Sequence, residues 1–154
     1  MKTNRTSAST VLLTVAVLCG CDPGLRLKPV ELEKLDCCEW IWRSQDVDIR
    51  FRSLGGLIGH TWESAEFTVV NKSTSLVQIE RGELRTRGRS YEASFSGQGD
   101  LRWRSAEPGS TARINLFWDL GETLPEIYGD DAEVELHLAI GDRRETVLLK
   151  YQRT

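Results

Sequence analysis

The chain has 154 residues, of which 40% are hydrophobic and 28% are charged, and its formal net charge at pH 7 is −3. A chain of this length suffices for one domain with its own hydrophobic core. The mildly acidic balance disfavours a general nucleic-acid binder, because such proteins carry clustered positive charge. We therefore expect no nucleic-acid partner.

The first twenty residues have the pattern of an export signal. Lys2 and Arg5 come first, no acidic residue is present, and an apolar run covers residues 11–18. This run is shorter than the ~20 apolar residues that a membrane-spanning helix needs. No later segment approaches that length, so the rest of the chain is expected to be water-soluble even if it is tethered.

The apolar run leads directly into Leu18-Cys19-Gly20-Cys21. This tetrapeptide resembles the lipobox of bacterial lipoproteins, in which a small residue precedes the lipidated cysteine. The resemblance implies cleavage between Gly20 and Cys21, a diacylglycerol thioether on Cys21, and acylation of the new amine by a fatty acid such as palmitate. Lipid chains of this kind hold a protein stably at a membrane. The alternative is an ordinary cleaved signal that leaves Cys21 as a plain thiol.

Residues 21–36 are interpreted as the lipidated N-terminus and a short tether, because prolines and a glycine stand there among Lys and Glu. A short helix over residues 30–35 is an alternative for part of this segment. Asp22 follows the cysteine, and in enterobacteria an aspartate there resembles the signal for retention at the inner membrane. We expect a location in the bacterial cell envelope, with the periplasmic face of the inner membrane indicated and the outer membrane left open.

Loss of residues 1–20 changes both the charge and the thiol content. Two basic residues and no acidic one are removed, so the net charge goes from −3 to −5. With Cys21 lipidated, only Cys37 and Cys38 remain as thiols. Adjacent cysteines on a strand point to opposite faces and pair only through a strained ring, so one buried and one exposed thiol are expected. A vicinal disulfide or a soft-metal site is the alternative.

The remaining residues, 37–154, are predicted to form one β-sandwich domain. Apolar and polar residues alternate along several segments, and turn formers such as residues 71–75 separate them. Predicted strands cover residues 47–51, 65–69, 76–79, 83–86, 90–95, 101–104, 112–118, 134–140 and 147–151. About seven to nine short strands with almost no helical periodicity predict an all-β antiparallel sandwich.

Two segments carry a resemblance to a known domain type. Residues 67–73 read Phe-Thr-Val-Val-Asn-Lys-Ser, and Pro108-Gly109-Ser110-Thr111 precedes a later apolar strand. Together they resemble the immunoglobulin-like domains of small bacterial envelope proteins, over about residues 63–151. The resemblance implies an immunoglobulin-like sandwich. The absence of the Cys-Trp-Cys core excludes close kinship with antibody domains.

Five tryptophans are many for this length. Trp62, Trp103 and Trp118 fall within strand patterns, and we expect them to fill the core between two sheets. Trp40 and Trp42 precede the best strands and are candidates for an exposed aromatic edge that meets a partner. An added edge strand is the plainer alternative for that pair.

Charge is polarised along the chain. Residues 81–113 hold seven arginines against four acids, a net +3, whereas residues 119–145 hold nine acids against two arginines, a net −7. A basic face for anionic headgroups or a partner is one interpretation, and cross-strand pairing on solvated faces is the other. Arg85 and Arg87 are expected to share one face, and so are Arg102 and Arg104, which makes these four residues the candidates.

No catalytic constellation is recognisable, so we expect no enzyme and no resident cofactor. His60 lies in a glycine-rich loop and His137 is predicted to point outward between Leu136 and Leu138. Residues 119–131 hold five carboxylates, but the regular spacing of a calcium loop is missing, which favours a solvated acidic loop. Phe117 precedes that loop at an outward position of its strand.

These features predict a membrane-anchored envelope lipoprotein whose non-catalytic domain binds an envelope protein or supports an assembly. Its membrane partner would be lipid, reached through acylated Cys21. The alternative is a lipoprotein that binds a metal or small ligand through Cys37 and Cys38, or through the acidic loop 119–131.

Overall fold

Strands make up nearly all the regular structure of the residues described. The computed structural model describes residues 27–36, 38–55, 61–96, 100–121 and 131–153. The strands are β1 (Leu27–Pro29), β2 (Glu33–Lys34), β3 (Trp40–Arg43), β4 (Val47–Phe51), β5 (Trp62–Asn71), β6 (Val77–Thr86), β7 (Arg89–Glu92), β8 (Ser94–Phe95), β9 (Ser105–Ala106), β10 (Thr111–Asp119), β11 (Asp131–Ile140) and β12 (Arg143–Arg153). A single 3₁₀ helix, Leu101–Arg104, accompanies them in the described residues.

The strands form two antiparallel sheets. Sheet I has the order β1-β12-β11-β6-β7, with β9 also paired to β6, and sheet II has the order β2-β3-β4-β5-β10-β8. The predicted all-β, antiparallel architecture is therefore confirmed. The predicted number of strands is not, because β1, β2, β8 and β9 are only two or three residues long and show no alternation in the sequence.

Alternate residues of both sheets point inward and share one core, as expected of a β-sandwich. Phe51 of sheet II lies with its ring centroid 6.2 Å from that of Tyr151 of sheet I, which places the two inner faces in contact. The largest fully buried side chains are Trp118, Tyr151, Phe51, Phe67, Leu27, Ile49, Leu54, Ile79, Leu84, Ile114 and Leu116. Burial of such apolar area is the main stabilising contribution to the fold.

The two sheets approach closely where β6 faces β10. A Cβ atom on Gly82 would lie 2.2 Å from Cδ2 of Leu116. Only a residue without a side chain fits there unless the buried Leu116 moves. Gly82 therefore serves interlayer packing rather than a turn.

The chain joins the sandwich earlier than predicted. Leu27–Pro29 pairs with β12, and Glu33–Lys34 pairs with β3 in the other sheet. These residues belong to the predicted tether 21–36. The described part of that segment is therefore not a free tether but contributes strands to both sheets. The alternative of a helix over residues 30–35 is wrong, because backbone groups of this segment bond to β12 and to β3 instead.

Three predicted strands differ in detail. Segments 76–79 and 83–86 are one strand, β6, whose register against β11 shifts between His137 and Leu138. Segment 90–95 splits at Ala93 into β7 of sheet I and β8 of sheet II. Segment 101–104 is not a strand, because the Asp100 carboxylate accepts a hydrogen bond from the Arg102 amide at 3.0 Å and caps the 3₁₀ helix.

The sandwich has two distinct ends. Leu27, where the described chain begins, pairs with Arg153 and bridges to Leu54. Trp62 and Asp119, the outermost paired residues of β5 and β10, lie at this same end, which we call the Leu27 end. The opposite end, the loop end, gathers the turns at residues 44–46, 72–76, 107–110 and 141–142.

Candidate interaction surface

The predicted aromatic edge at Trp40 and Trp42 does not form. Trp40 lies opposite Phe51 on the inner face, is 6% exposed and belongs to the core, and Trp42 is half-buried against that core. The strand that carries them is covered on its open side by β2. The plainer alternative, an added strand at the sheet edge, describes this segment.

Trp62 and Trp103, predicted to lie in the core, are 47% and 53% exposed, so that prediction is wrong for both. Trp118 is fully buried, as predicted. Trp103 belongs to the 3₁₀ helix and not to a strand. Trp62 is separated from the buried Phe67 by an odd number of positions, so the alternation along β5 turns it outward.

Arg85 lies in a chain of ion pairs on the outer face of sheet I. Its Nε is 2.7 Å from Oε1 of Glu83, and its Nη1 is 2.8 Å from Oε2 of Glu135. Arg81 extends the chain, with Nη2 at 3.0 Å from the second Glu83 oxygen and Nε at 3.4 Å from Glu92. The guanidinium groups are thus already neutralised by the protein's own carboxylates.

Glu83 lies at the centre of these ion pairs and is only 7% exposed. A hydrogen bond from the Ser90 hydroxyl, together with that from Arg85, holds the pKa of its carboxyl below the usual value. The same pairing with Glu83 and Glu135 raises the pKa of the Arg85 guanidinium. The charged side chains therefore stabilise one another, and this face does not present a basic patch.

The other three candidate arginines lie outside β6. Arg87 occupies the turn between β6 and β7 with φ of 49°. The side chain of Arg102 is 87% exposed and pairs with Asp100 at 2.7 Å, which lowers the pKa of that carboxyl. The guanidinium of Arg104 lies 5.5 Å from the ring centroid of Phe95. The shared face predicted for Arg102 and Arg104 is absent, because a 3₁₀ helix does not align residues i and i+2.

The histidines and cysteines divide between described and undescribed residues. His137 points outward from β11, as predicted, with Nε2 at 2.8 Å from Oε1 of Glu135. Cys38 is half-buried. His60, Cys37 and residues 122–130 of the acidic loop lie outside the described residues.

Among the residues that the structure describes, no group of three or more His, Cys, Asp or Glu side chains is arranged to hold a metal ion. The metal or small-ligand alternative through Cys37 and Cys38, or through loop 119–131, stays a prediction. In the same part of the chain, no helix is long and apolar enough to cross a membrane.

The loop end is held rigidly by Asn71, which is 1% exposed. Its Nδ2 donates to the carbonyls of Ser75 at 2.8 Å and Ala106 at 2.9 Å. Its Oδ1 accepts from the amide and the hydroxyl of Ser73. One buried amide therefore fixes the shape of the turn between β5 and β6.

A polar cleft of about 480 Å³ opens at the loop end. Lys72 lines it, with Nζ at 2.6 Å from Asp48 and 2.7 Å from the Ser44 carbonyl. Arg143 pairs with Asp46 across the cleft, which raises the pKa of the guanidinium. The remaining lining residues are Ser73, Thr74, Ser75, Ile140 and Asp142. The fixed turns and paired charges suit a polar protein surface more than a small apolar ligand.

The Leu27 end carries an exposed aromatic pair that was not predicted from the sequence. The ring centroids of Trp62 and Phe117 are 6.5 Å apart, with the rings at 54°. Both side chains project from the outer face of sheet II, where Phe117 lies opposite Ser64 and Trp62 opposite Asp119. Phe117 points outward as predicted. Trp62 lies five positions before the inward Phe67, and this odd spacing could have shown from the sequence that Trp62 also points outward.

Comparisons with known proteins give no family. No family model and no curated protein matches this chain. A functionally unknown protein from Listeria monocytogenes EGD-e aligns with 11% identity and a TM-score of 0.49 over 79% of this chain and 85% of its own. A protein from Archaeoglobus fulgidus aligns with 12% identity and a TM-score of 0.38 over 74% of this chain and 95% of its own.

Proposed function

We propose that this chain is a lipid-anchored protein of the bacterial cell envelope, whose immunoglobulin-like domain binds an envelope protein and has no catalytic role. The observation that carries the proposal is the position of Leu27. It lies six residues after Cys21 and enters the sandwich at the end opposite the clustered turns. Lipid attachment at Cys21 would therefore leave the loop end free to meet a partner.

The reach of the tether can be compared with the length of the sandwich. Six residues from Cys21 to Leu27 span at most about 20 Å when fully extended. Strand β11 runs through ten residues from the Leu27 end to the loop end, about 30 Å at the usual rise per residue. The polar cleft would then stand well above the lipid headgroups, where a protein can reach it.

The order of the seven longer strands after β3 supports an immunoglobulin-like assignment. In that fold, strands A, B and E share one sheet and strands C, F and G share the other, to which a C′ strand can be added. Here β4, β5 and β10 are neighbours in sheet II, and β12, β11, β6 and β7 are neighbours in sheet I. The chain order of these strands matches A, B, C, C′, E, F and G.

The anchor is tested first, by replacing Cys21→Ser in the full chain and fractionating the membranes. We expect the native protein to sediment with membranes and to carry lipid on an N-terminal Cys21, whereas the variant is released or mislocalised. Unchanged membrane fractionation of the variant would refute the anchor. Separation of the two membranes on a density gradient tests the inner-membrane location that Asp22 indicates.

The binding surface is tested by photo-crosslinking in the same membranes. A photoreactive residue at Thr74, in the cleft, is compared with one at Thr146, on the outer face of sheet I. We expect one envelope protein to be crosslinked from Thr74 and not from Thr146, and the crosslink to weaken in Lys72→Ala. Equal crosslinking from both positions, or no specific partner identified by mass spectrometry, would contradict binding at the loop end.

A further inference from the structure

Two exposed aromatic rings form a contiguous surface at the Leu27 end. Six large apolar side chains of the described residues are exposed, and among them Trp62 and Phe117 are in ring contact. Their exposed fractions are 47% and 37%. Single exposed apolar residues are normal in soluble proteins, so the contact between these two is the feature that needs a reason.

Sheet formation alone does not require this pair. The other outward side chains of β10 are polar, namely Thr111, Arg113, Asn115 and Asp119. A polar residue at position 117 would continue that pattern and leave the inner face unchanged. The ring contact contributes about 0.5–1.5 kcal/mol as an aromatic pair, but it leaves much of both rings in water.

The place of the pair limits what it can meet. Trp62 is the first residue of β5 and lies opposite Asp119, the last residue of β10. The Leu120 amide bonds to the Thr61 carbonyl at 2.8 Å and extends the pairing of the two strands at that end. The pair thus lies at the Leu27 end of the sandwich. With a lipid on Cys21, the six residues to Leu27 would keep that end within about 20 Å of the headgroups.

We propose that Trp62 and Phe117 form a second, non-covalent contact with the membrane surface. This inference rests on the proposed lipidation of Cys21. Tryptophan rings partition to the boundary between headgroups and acyl chains, because the ring is apolar and its N–H bonds to water or headgroups. The lipid supplies attachment, and the aromatic pair fixes how the domain is oriented.

The contact has a defined geometric consequence. Trp62 and Phe117 project from sheet II, whereas Leu27 belongs to sheet I. Contact of both the tether and the rings with one bilayer tilts the sandwich so that the outer face of sheet II leans toward the lipid. The ion-paired face of sheet I then points away from the membrane.

Quenching of tryptophan fluorescence by brominated lipid tests the contact. The full lipidated protein is reconstituted into vesicles of phosphatidylcholine with bromine on the acyl chains, and Trp62→Phe is compared with Trp103→Phe. Trp103 is an equally exposed control, and it precedes β9, whose residues pair with Val77 and Gln78 near the loop end. We expect native protein and Trp103→Phe to be quenched alike, and Trp62→Phe to lose most of the quenching.

Two further variants and a salt series separate an apolar ring contact from an electrostatic one. Phe117→Ser keeps all five tryptophans and should reduce the quenching, whereas Leu148→Ser, on the outer face of sheet I, should not. An apolar contact predicts little change between 0.1 M and 1 M salt, although the Debye length falls from about 10 Å to about 3 Å. Quenching that disappears at high salt would show that cations make the contact, and would overturn the inference.

The anchor and the aromatic contact fail in different ways. Failure of the lipidated protein to float with vesicles would remove both the proposed function and this inference. Flotation with quenching that is unchanged in Trp62→Phe would overturn the aromatic contact alone. Flotation with quenching lost in Trp62→Phe but kept in Trp103→Phe supports both.

Discussion

The outer face of sheet I carries charges that pair with one another, whereas the outer face of sheet II carries two aromatic rings in contact. On sheet I, Arg81 and Arg85 both pair with Glu83, and Arg85 also pairs with the half-buried carboxylate of Glu135. On sheet II, Trp62 and Phe117 meet at the Leu27 end. Charge density along a sequence is therefore a poor guide to a binding face when neighbouring side chains neutralise it.

The cause is the pairing of β6 with β11. Residues 81–113 are basic and residues 119–145 are acidic in sequence, but Arg85 lies opposite Glu133 and next to Glu135 in the folded sheet. Arg85 and Glu135, fifty positions apart in the chain, are thereby brought within 2.8 Å, and Arg81 and Arg85 also pair with Glu83 of their own strand. Trp62 and Phe117 stay 47% and 37% exposed.

The largest expected effect distinguishes a buried tryptophan from the exposed one. Trp118→Ala should lower the free energy of unfolding by about 3–5 kcal/mol, because it leaves a cavity between the sheets. Trp62→Ala should cost only about 0.5–1.5 kcal/mol, since the ring is 47% exposed and its contact with Phe117 lies at the surface. Urea unfolding followed by far-ultraviolet circular dichroism measures both. Equal losses would show that Trp62 is a core residue after all.

A smaller effect tests the ion-paired face of sheet I. Glu83→Gln should lower stability at pH 7 by about 1–3 kcal/mol, because charged hydrogen bonds to Arg85 and Ser90 are lost. The pKa of Glu83 is lowered by folding, so its contribution is present above the unfolded value of 4.5 and is lost as pH falls through the folded value. The difference between native protein and variant should therefore shrink in acid. A constant difference from pH 7 to pH 3 would contradict this linkage.

The smallest expected effect concerns an arginine that sequence alone placed on a basic face. Arg102→Ala should leave the urea midpoint unchanged, because its ion pair with Asp100 is solvated. Arg85→Ala is the matched comparison and should lower the midpoint, since it leaves Glu83 and Glu135 without their shared partner. Identical midpoints for the two variants would mean that the sheet I network contributes nothing beyond surface pairing.

Local alternation predicted the long strands well. The segments around Val69, Leu116 and Leu136 are strands as predicted, because an inward apolar residue at every second position is a property of one strand alone. The short strands β1, β2 and β9 were missed, since two or three residues carry no period. The 3₁₀ helix at 101–104 was missed because Asp100, outside the segment, caps it.

The candidate surface was less predictable than the fold. Trp40 was a candidate for an exposed edge and is buried, whereas Trp62 and Trp103 were predicted to be buried and are exposed. An aromatic side chain suits either environment, so its type alone does not decide. For Trp62 the odd spacing from the buried Phe67 was sufficient to predict that the side chain points outward. For Trp40 the deciding fact is its place opposite Phe51 on the inner face.

The sequence was sufficient to predict strands with one apolar and one polar face, because that period is local and needs no partner. It also contains Leu18-Cys19-Gly20-Cys21, whose resemblance to a lipobox underlies the proposed anchor. The contacts between distant residues came from the tertiary structure alone: Leu27 pairs with β12 opposite the loop end, Arg85 of β6 meets Glu135 of β11, and Trp62 meets Phe117. Each of these depends on which strands become neighbours, and contacts between residues far apart in the chain are set by packing of the whole core.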